Sequence, residues 1–536
     1  RIRVRTVRKL LKKLDVHSGT GPDRLPTRIL RTLCDELALP ITLLARKLLS
    51  DGCWPQCWRE HWVHPIYKKK SRADGRNYRG VHLTAQVSKV IERAIGGIFI
   101  PWVEKVGAYG PRQFAYTKGM SYKDVLALNV CSWLSLMSRG FLVGVYCSDV
   151  SGAFDRVEST RLRAKLRAAG LHDHVVKFLS SWLEDRVSKV VVGGQASPAE
   201  PLTNSVFQGT VLGSPLWNLF YADARKSVEA KGYTESVFAD DFNAWKGFVR
   251  TNNVEGTKRA ILADLESAQK ELHLWGAANQ VRFDPSKESF HILHRRFHHG
   301  DDFKILGVTF DVGLLMHTAA REIATEAGWR LQTLLRARAF FTTPELMHLY
   351  KAQVLSFIES STPGIYHAAA SVLSRVDRVQ DRFLRNVGLD DVSALVDYRL
   401  APLCARRDIA MLGVLHKIAL GKAPKPLAAL FPLIGVVDEP MAQRRVRGWK
   451  PRHSRQLFTE ATFESTDVMQ HSLFGLVHLY NKLPQCTVDA PSARAFQGRL
   501  QAVLKMLANS STEGWPRLFS TGWRLMPRSR FHSLFE

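Results

Sequence analysis

The sequence is constrained most by three carboxylates that sit at the ends of apolar runs. Phe141 to Cys147 is a continuous apolar stretch containing Val and Tyr, which predicts a buried strand running into Asp149. Ser236 to Trp245 reads as two short apolar arms around Asp240-Asp241, a hairpin that presents acids at its turn. A fold that sets the strand-terminal Asp beside the hairpin-borne pair concentrates carboxylates that otherwise repel one another. Magnesium prefers such oxygen ligands. Adjacent acids at exposed turns are common, however, so the pair acquires meaning only from its neighbours.

The surrounding pattern predicts an α+β core. Asp155 followed by Glu158 is a capping-box spacing at the start of a helix bearing Leu162, Leu166 and Ala169. A later helix carries Ile261, Leu265, Ala268 and Leu272 on one face. Short strands at Val281 to Phe283, Phe290 to Leu293 and Ile305 to Phe310 are expected to complete a mixed sheet. Upstream, Thr6 to Leu14 is a basic amphipathic helix, Ser18 to Asp23 is a break, and a second helical pattern runs from about Pro26 to Leu49. Val63 to Tyr67 reads as a strand leading into Lys68-Lys69-Lys70.

Beyond about residue 315 the pattern turns helical. From Ser371 to Val387, Val372, Val376, Val379, Phe383 and Val387 form an apolar stripe, and Arg375, Arg378, Arg382 and Arg385 form a second stripe of one sign. That second stripe reads as a face for a phosphate backbone, against the alternative of an ordinary solvated surface. After about Pro402, helical patches alternate with breaks such as Lys422-Ala423-Pro424-Lys425-Pro426. The expected division is a basic helical extension (1–58), a sheet-containing catalytic region (59–314), a helical region (315–400) and a C-terminal helical region of open role (401–536).

Charge narrows the partner. The 536 residues carry 76 Lys and Arg against 49 Asp and Glu, a formal charge of +27, which favours a polyanion such as nucleic acid. The seven cysteines are scattered and odd in number, which argues against a secreted disulfide framework and for a reducing compartment. Cys53 and Cys57 have no second pair at zinc-binding spacing and are read as structural. No apolar stretch reaches the ~18 residues of a membrane span, and Arg1 to Arg5 lacks the apolar segment of a signal peptide. The expectation is an intracellular protein without a membrane partner, in nucleus or cytoplasm, with no targeting signal assigned. Oligomeric state is not legible. The chain starts on Arg and reads as a piece of a longer frame.

Three collinear motifs give the acids their context: Asp149-Val150-Ser151-Gly152-Ala153-Phe154-Asp155, Phe207-Gln208-Gly209-Thr210-Val211-Leu212-Gly213-Ser214-Pro215-Leu216-Trp217-Asn218-Leu219-Phe220, and Phe238-Ala239-Asp240-Asp241. With Gly21-Pro22-Asp23, Ile66 to Lys70, Asn77-Tyr78-Arg79, Asp284-Pro285-Ser286-Lys287 and Leu306-Gly307-Val308, the run resembles the reverse transcriptases of non-LTR, jockey-like retrotransposons. Looser matches follow at Leu349 to Val354, Val379 to Leu384 and Leu479 to Pro484.

The resemblance implies a right-hand polymerase of fingers, mixed-sheet palm and helical thumb, with a mainly helical C-terminal region. It implies two Mg2+ ions, with Mn2+ as a substitute, held by Asp149, Asp240 and Asp241, and an RNA template, a DNA primer or target DNA, and dNTPs as partners. It casts Lys68 and Arg79 as triphosphate grips, Phe154 as the ring that excludes a ribose 2′-hydroxyl, Gln208 and Gly209 as walls of the nascent-pair pocket, and Lys287 as a neighbour of the leaving pyrophosphate. Asp155 is expected to cap its helix rather than bind metal.

The sequence departs from the family pattern at three sites. Gly80-Val81-His82-Leu83 stands where Pro-Ile-Ser-Leu is usual, Phe207 replaces a Pro, and Phe238 replaces a Tyr. The alternatives kept beside this reading are a non-catalytic nucleic-acid-binding remnant and a group II intron reverse transcriptase with maturase activity. No endonuclease or RNase H pattern is expected within these residues.

Overall fold

The computed structural model describes residues 1–434, 453–458, 467–522 and 526–535. In chain order the strands are β1 (Glu60–Tyr67), β2 (Tyr78–Leu83), β3 (Leu142–Ser148), β4 (Arg186–Val192), β5 (Gln195–Ala196), β6 (Glu200–Leu202), β7 (Thr234–Phe238), β8 (Asp241–Phe248), β9 (Ser289–Leu293), β10 (Phe303–Ile305) and β11 (Val308–Phe310). The chain divides into two units. One comprises Arg1–Thr117, Cys147–Ala244 and Glu266–Glu288, and the other Lys118–Tyr146, Trp245–Leu265 and Ser289–Glu536.

In the first unit, β1 is central to a sheet of order β2-β1-β4-β5, with β6 also paired to β4. It pairs antiparallel with β2, Ile66 facing Arg79, and parallel with β4, Glu60 facing Val187. Helix Gln86–Lys105 contributes Val90, Ile91, Ile95 and Phe99 to the core. The basic N-terminal helix forms at Val4–Lys12 and buries Val7 and Leu11. The expected single helix after it is two, Thr27–Thr32 and Cys34–Asp51, because Leu33 leaves helical geometry. Helix Cys34–Asp51 ends on Gly52 in the left-handed region (φ 65°), which an L side chain rarely adopts.

A second sheet has the order β7-β8-β3-β9. All seven residues of β3 are buried, as their unbroken apolar pattern requires of a strand covered on both faces. Two strand expectations are corrected. Val281 to Phe283 makes only one isolated bridge, Phe283 to Val150. Ile305 to Phe310 is split, because Leu306 (φ 47°) and Gly307 (φ 86°) turn the chain, so β10 and β11 form a separate antiparallel pair.

The capping expectation is also corrected. Glu158, not Asp155, caps helix Ser159–Ala168, accepting from the amides of Thr160 and Arg161 at 2.8 Å each. Asp155 lies one turn earlier, within the 3-10 segment Ala153–Arg156, and accepts from the Ser205 hydroxyl at 3.4 Å.

The second unit is dominated by helices, among them His317–Arg336, Ala370–Val387, Leu403–Ala419 and Ala493–Asn509. Helix Ala370–Val387 buries Val372, Val376, Val379 and Phe383, with Phe383 stacked on Tyr350 at 4.1 Å. Asp377 of the same helix binds Arg407 through two contacts of 2.6 and 2.8 Å. Near the C-terminus, Tyr480 of the Leu479 to Pro484 motif shares a hydrogen bond of 3.0 Å with His416, whose other ring nitrogen meets the Ala490 carbonyl at 2.9 Å. Among the described residues no helix is long and apolar enough to cross a membrane.

Candidate active site

Asp149 is the first residue beyond β3, and the backbone around it is clamped. Its carbonyl accepts from the Asp284 amide at 3.0 Å, and the Ser151 amide donates to the Arg282 carbonyl at 2.9 Å. Asp284 then organises its own turn, accepting from the Ser286 amide at 3.1 Å and hydroxyl at 2.7 Å, while the Lys287 amide donates to the Asp284 carbonyl at 2.9 Å. The turn delivers the Lys287 ammonium to Asp149, to which it donates a hydrogen bond, with Asp284 Oδ2 at 3.8 Å.

The acid pair is set by a two-residue turn between β7 and β8. Ala239 occupies the left-handed region (φ 61°), which costs about 1 kcal/mol for a residue with a Cβ. Side chains from elsewhere in the unit hold it there. Gln113 accepts from the Ala239 amide at 3.1 Å and donates back to its carbonyl at 3.3 Å, and Trp217 Nε1 donates to the same carbonyl at 2.9 Å. Three hydrogen bonds of about 1 kcal/mol each outweigh the strain. Asp240 completes the turn and Asp241 opens β8, the strand adjacent to β3.

Crowding raises the affinity of these acids for protons. Burial, reinforced by the charge of Asp149, lifts Asp240 to about 6, with Lys287 and Arg79 opposing the rise. Burial and the charges of Asp149 and Asp240 lift Asp241 to about 7. For Lys287 partial burial works downward, but the hydrogen bond and charge of Asp149 prevail and its ammonium is held above the usual range. Its side chain is 54% exposed, so solvent screens much of that pairing. Beneath the acids, burial and the charges of Asp240, Asp149 and Asp241 raise the Tyr221 hydroxyl well above its ordinary value. Among the described residues, no three His, Cys, Asp or Glu side chains are gathered closely enough to hold a metal as they stand. Lys287 meets Asp149 instead.

The other residues singled out in the sequence fall into four places. Phe154 stacks on Trp217 at 6.0 Å and 19°, with Tyr116 edge-on at 6.5 Å, which fixes its ring plane. The Gln208 carbonyl accepts from the His82 amide at 2.8 Å, tying the Gln208-Gly209 loop to β2. Gly209 has φ 102°, and a Cβ there would lie 2.9 Å from Val81 Cγ1 and 3.0 Å from the His82 carbonyl, so a side chain is excluded. Lys68 and Arg79 are exposed beside the β1–β2 pair, where the Lys68 amide donates to the Asn77 carbonyl at 2.8 Å. Arg375, Arg378, Arg382 and Arg385 are all exposed on helix Ala370–Val387 of the second unit.

Sequence reasoning missed Gln113 and Trp217. Gln113 acts on a residue 126 positions away, and no local periodicity marks such a contact. The only local signal for Trp217 was its place in the Gln208 to Phe220 motif.

A family profile described as reverse transcriptase (RNA-dependent DNA polymerase) matches residues 67–310. The RNA-directed DNA polymerase from mobile element jockey of Drosophila melanogaster is 24% identical over 407 residues, covering 71% of this chain and 43% of that protein. Its counterpart from Drosophila funebris is 24% identical over 414 residues, with the same coverage of 71% and 43%. The chain thus spans under half the length of these curated relatives. The probable RNA-directed DNA polymerase from transposon BS of Drosophila melanogaster is 26% identical over 250 residues, 45% of this chain and 27% of that protein. Among solved structures, apo telomerase from Candida tropicalis truncated from its C-terminal domain aligns with a TM-score of 0.37 and 11% identity, over 49% of this chain and 55% of that one. With acids at neighbouring strand ends and motifs in collinear order, residues 67–310 match the reverse transcriptase profile, and the chain is similar to the RNA-directed DNA polymerases of jockey mobile elements.

Proposed function

We propose that the chain is an RNA-directed DNA polymerase that extends a DNA primer on an RNA template from deoxynucleoside triphosphates. The observation that carries this reading is the convergence of Asp149, Asp240 and Asp241 at neighbouring strand ends, with Lys287 placed on Asp149. Reverse transcriptases generally use divalent metal ions. The raised carboxyls of Asp240 and Asp241 fit that requirement, since they record negative charge that the protein does not itself neutralise. In the proposed site Asp149 and Asp240 hold two Mg2+ ions, or Mn2+ in their place, and Asp241 assists. Bound ions stabilise the attacking and leaving oxygens of the phosphoryl transfer.

The protein's own groups do the remaining work. Lys68 and Arg79 hold the triphosphate, adding fixed positive charge where negative charge spreads over phosphate oxygens. Lys287, held on Asp149, is positioned to meet the departing pyrophosphate with its charge. Phe154, braced by Trp217, excludes the 2′-hydroxyl of a ribonucleotide. Gln208 and Gly209 wall the nascent pair, and Gly209 lets backbone approach where a side chain would collide. The arginines at 375, 378, 382 and 385 contact backbone phosphates outside the centre. The division 1–58, 59–314, 315–400 and 401–536 is the corresponding assignment of extension, fingers with palm, thumb and C-terminal region.

The test is primer extension by the purified chain with an RNA template, a DNA primer, dNTPs and Mg2+. Extension that depends on all four supports the reading. Binding of the primer–template without extension, under conditions where a known reverse transcriptase extends it, supports a non-catalytic nucleic-acid-binding protein instead.

A further inference from the structure

Two of the positions that depart from the family pattern, His82 and Phe207, meet in the fold. Their rings lie 5.8 Å apart, and His61 of β1 packs against both, at 5.2 Å from His82 and 4.8 Å from Phe207. Beneath them the buried Arg186 of β4 donates to the Trp182 carbonyl at 2.6 Å and the Trp58 carbonyl at 2.9 Å, and its guanidinium lies 5.1 Å from the Phe207 ring. All four residues are buried. The cluster lies directly under the loop that walls the proposed nascent-pair pocket.

Its hydrogen bonds have a direction. Arg186 Nη1 is 2.6 Å from His61 Nε2, and a guanidinium only donates, so His61 Nε2 accepts. A neutral imidazole then carries its proton on Nδ1, which lies 3.0 Å from His82 Nδ1. His61 therefore donates and His82 accepts, leaving the His82 proton on Nε2. Burial and the charge of Arg186 hold both rings in the neutral form this order needs, with His82 lowered to about 4. From His82 the chain continues into the loop, since the His82 amide donates to the Gln208 carbonyl at 2.8 Å. Phe207, at φ 54°, is held in a conformation closed to the proline usual at this place, whose ring fixes φ near −65°. On the far side of the loop, Glu92 accepts from the Val211 amide at 2.9 Å and the Leu212 amide at 3.4 Å.

We propose that Arg186, His61 and His82 form a directed hydrogen-bond relay that, together with Phe207, fixes the Gln208-Gly209 loop and so sets how strictly this polymerase discriminates matched from mismatched nucleotides. These are positioning residues, and the inference rests on the polymerase reading above. The two departures, His82 and Phe207, thus meet in one buried cluster of this chain.

The test compares His82→Leu with His82→Asn. Leucine fills the buried space but offers no acceptor, whereas the Asn side-chain oxygen supplies one near the place of Nδ1. Loss of a buried hydrogen bond of about 1.4 kcal/mol corresponds to about tenfold. His82→Leu is therefore expected to lower the ratio of correct to mismatched dNTP incorporation about tenfold, with His82→Asn within about threefold of the parent. Amide hydrogen exchange across residues 205–212 is expected to quicken about tenfold in His82→Leu and to stay near the parent rate in His82→Asn. Equal behaviour of the two variants in both measurements overturns the relay, because packing alone would then account for His82. If the parent protein extends no primer, the polymerase reading fails and the specificity claim with it. Hydrogen exchange then still decides whether the relay holds the loop.

Discussion

The ammonium of Lys287 is hydrogen-bonded to the carboxylate of Asp149, a residue 138 positions earlier in the chain. The contact is made by a turn that Asp284 builds for itself and by the amide that Asp284 donates to the Asp149 carbonyl. A cation of the protein thus occupies one of the acids proposed to hold metal, so metal binding and this ion pair compete.

Lys287→Ala should therefore have opposite effects on binding and turnover. Removing a half-exposed ion pair worth up to about 1 kcal/mol should tighten Mg2+ binding to the nucleotide-free protein by up to about fivefold. Losing the charge at the leaving pyrophosphate should lower the extension rate by about 10²-fold. Calorimetric Mg2+ titration and single-turnover extension read the two effects. Unchanged extension would remove Lys287 from the proposed chemistry.

The acid pair predicts a pH dependence of stability with a defined sign. Asp240 and Asp241 titrate at about 6 and about 7 in the folded chain, above the ordinary carboxyl value, so the folded state retains protons that the unfolded chain has released. The associated stability is complete below about pH 4 and is lost as pH rises toward 6 to 7. The two protonation steps belong to the pair rather than to either acid alone. Without metal, Asp241→Asn should raise the melting midpoint by about 3–6 °C at pH 8 and leave it unchanged at pH 4. Added Mg2+ should stabilise the parent at pH 8 far more than the variant. Thermal denaturation at the two pH values checks both statements.

Phe154 lies flat on Trp217, which gives the ring one orientation and little freedom to retreat. Phe154→Val should admit ribonucleotides, with rNTP incorporation rising about 10–100-fold relative to dNTP, equivalent to about 1.4–2.7 kcal/mol of discrimination lost. Competition between dCTP and CTP in primer extension measures this. An unchanged ratio would place the exclusion of ribose elsewhere.

The four exposed arginines of helix Ala370–Val387 predict a change in salt dependence rather than in chemistry. Replacing Arg375, Arg378, Arg382 and Arg385 with Gln should weaken primer–template binding and flatten the slope of log K against log salt by about 3–4, if each meets one phosphate. The single-turnover rate of bound complex should stay within about twofold of the parent. An unaltered slope would return the stripe to ordinary solvated surface.

The parts of this fold that were legible from sequence are those written in local pattern. The unbroken apolar run before Asp149 specified β3, the two apolar arms specified the hairpin around Asp240, and the 3.6-residue spacing of Val372 to Phe383 specified a helix. What escaped was set by contacts across the chain. The hydrophobic spacing between Pro26 and Leu49 passes through Leu33 without interruption, although the backbone breaks there. Glu158 and Asp155 are both plausible caps by spacing, and the choice falls to Glu158 because the 3-10 turn at Ala153–Arg156 carries Asp155 toward Ser205. The strained Ala239 is tolerated through Gln113 and Trp217, and the departures at His82 and Phe207 make sense only once β1, β2 and β4 bring His61 and Arg186 to them.

The most direct measurement is single-turnover extension of a DNA primer on an RNA template by the parent chain, Asp149→Ala and Asp240→Ala, with primer–template affinity determined on the same samples. The account predicts extension by the parent, a loss of at least about 10³-fold in each variant, and affinities within about threefold of the parent, since a lost interaction confined to the transition state lowers rate without lowering ground-state binding. Extension by either variant at a rate near that of the parent would contradict it.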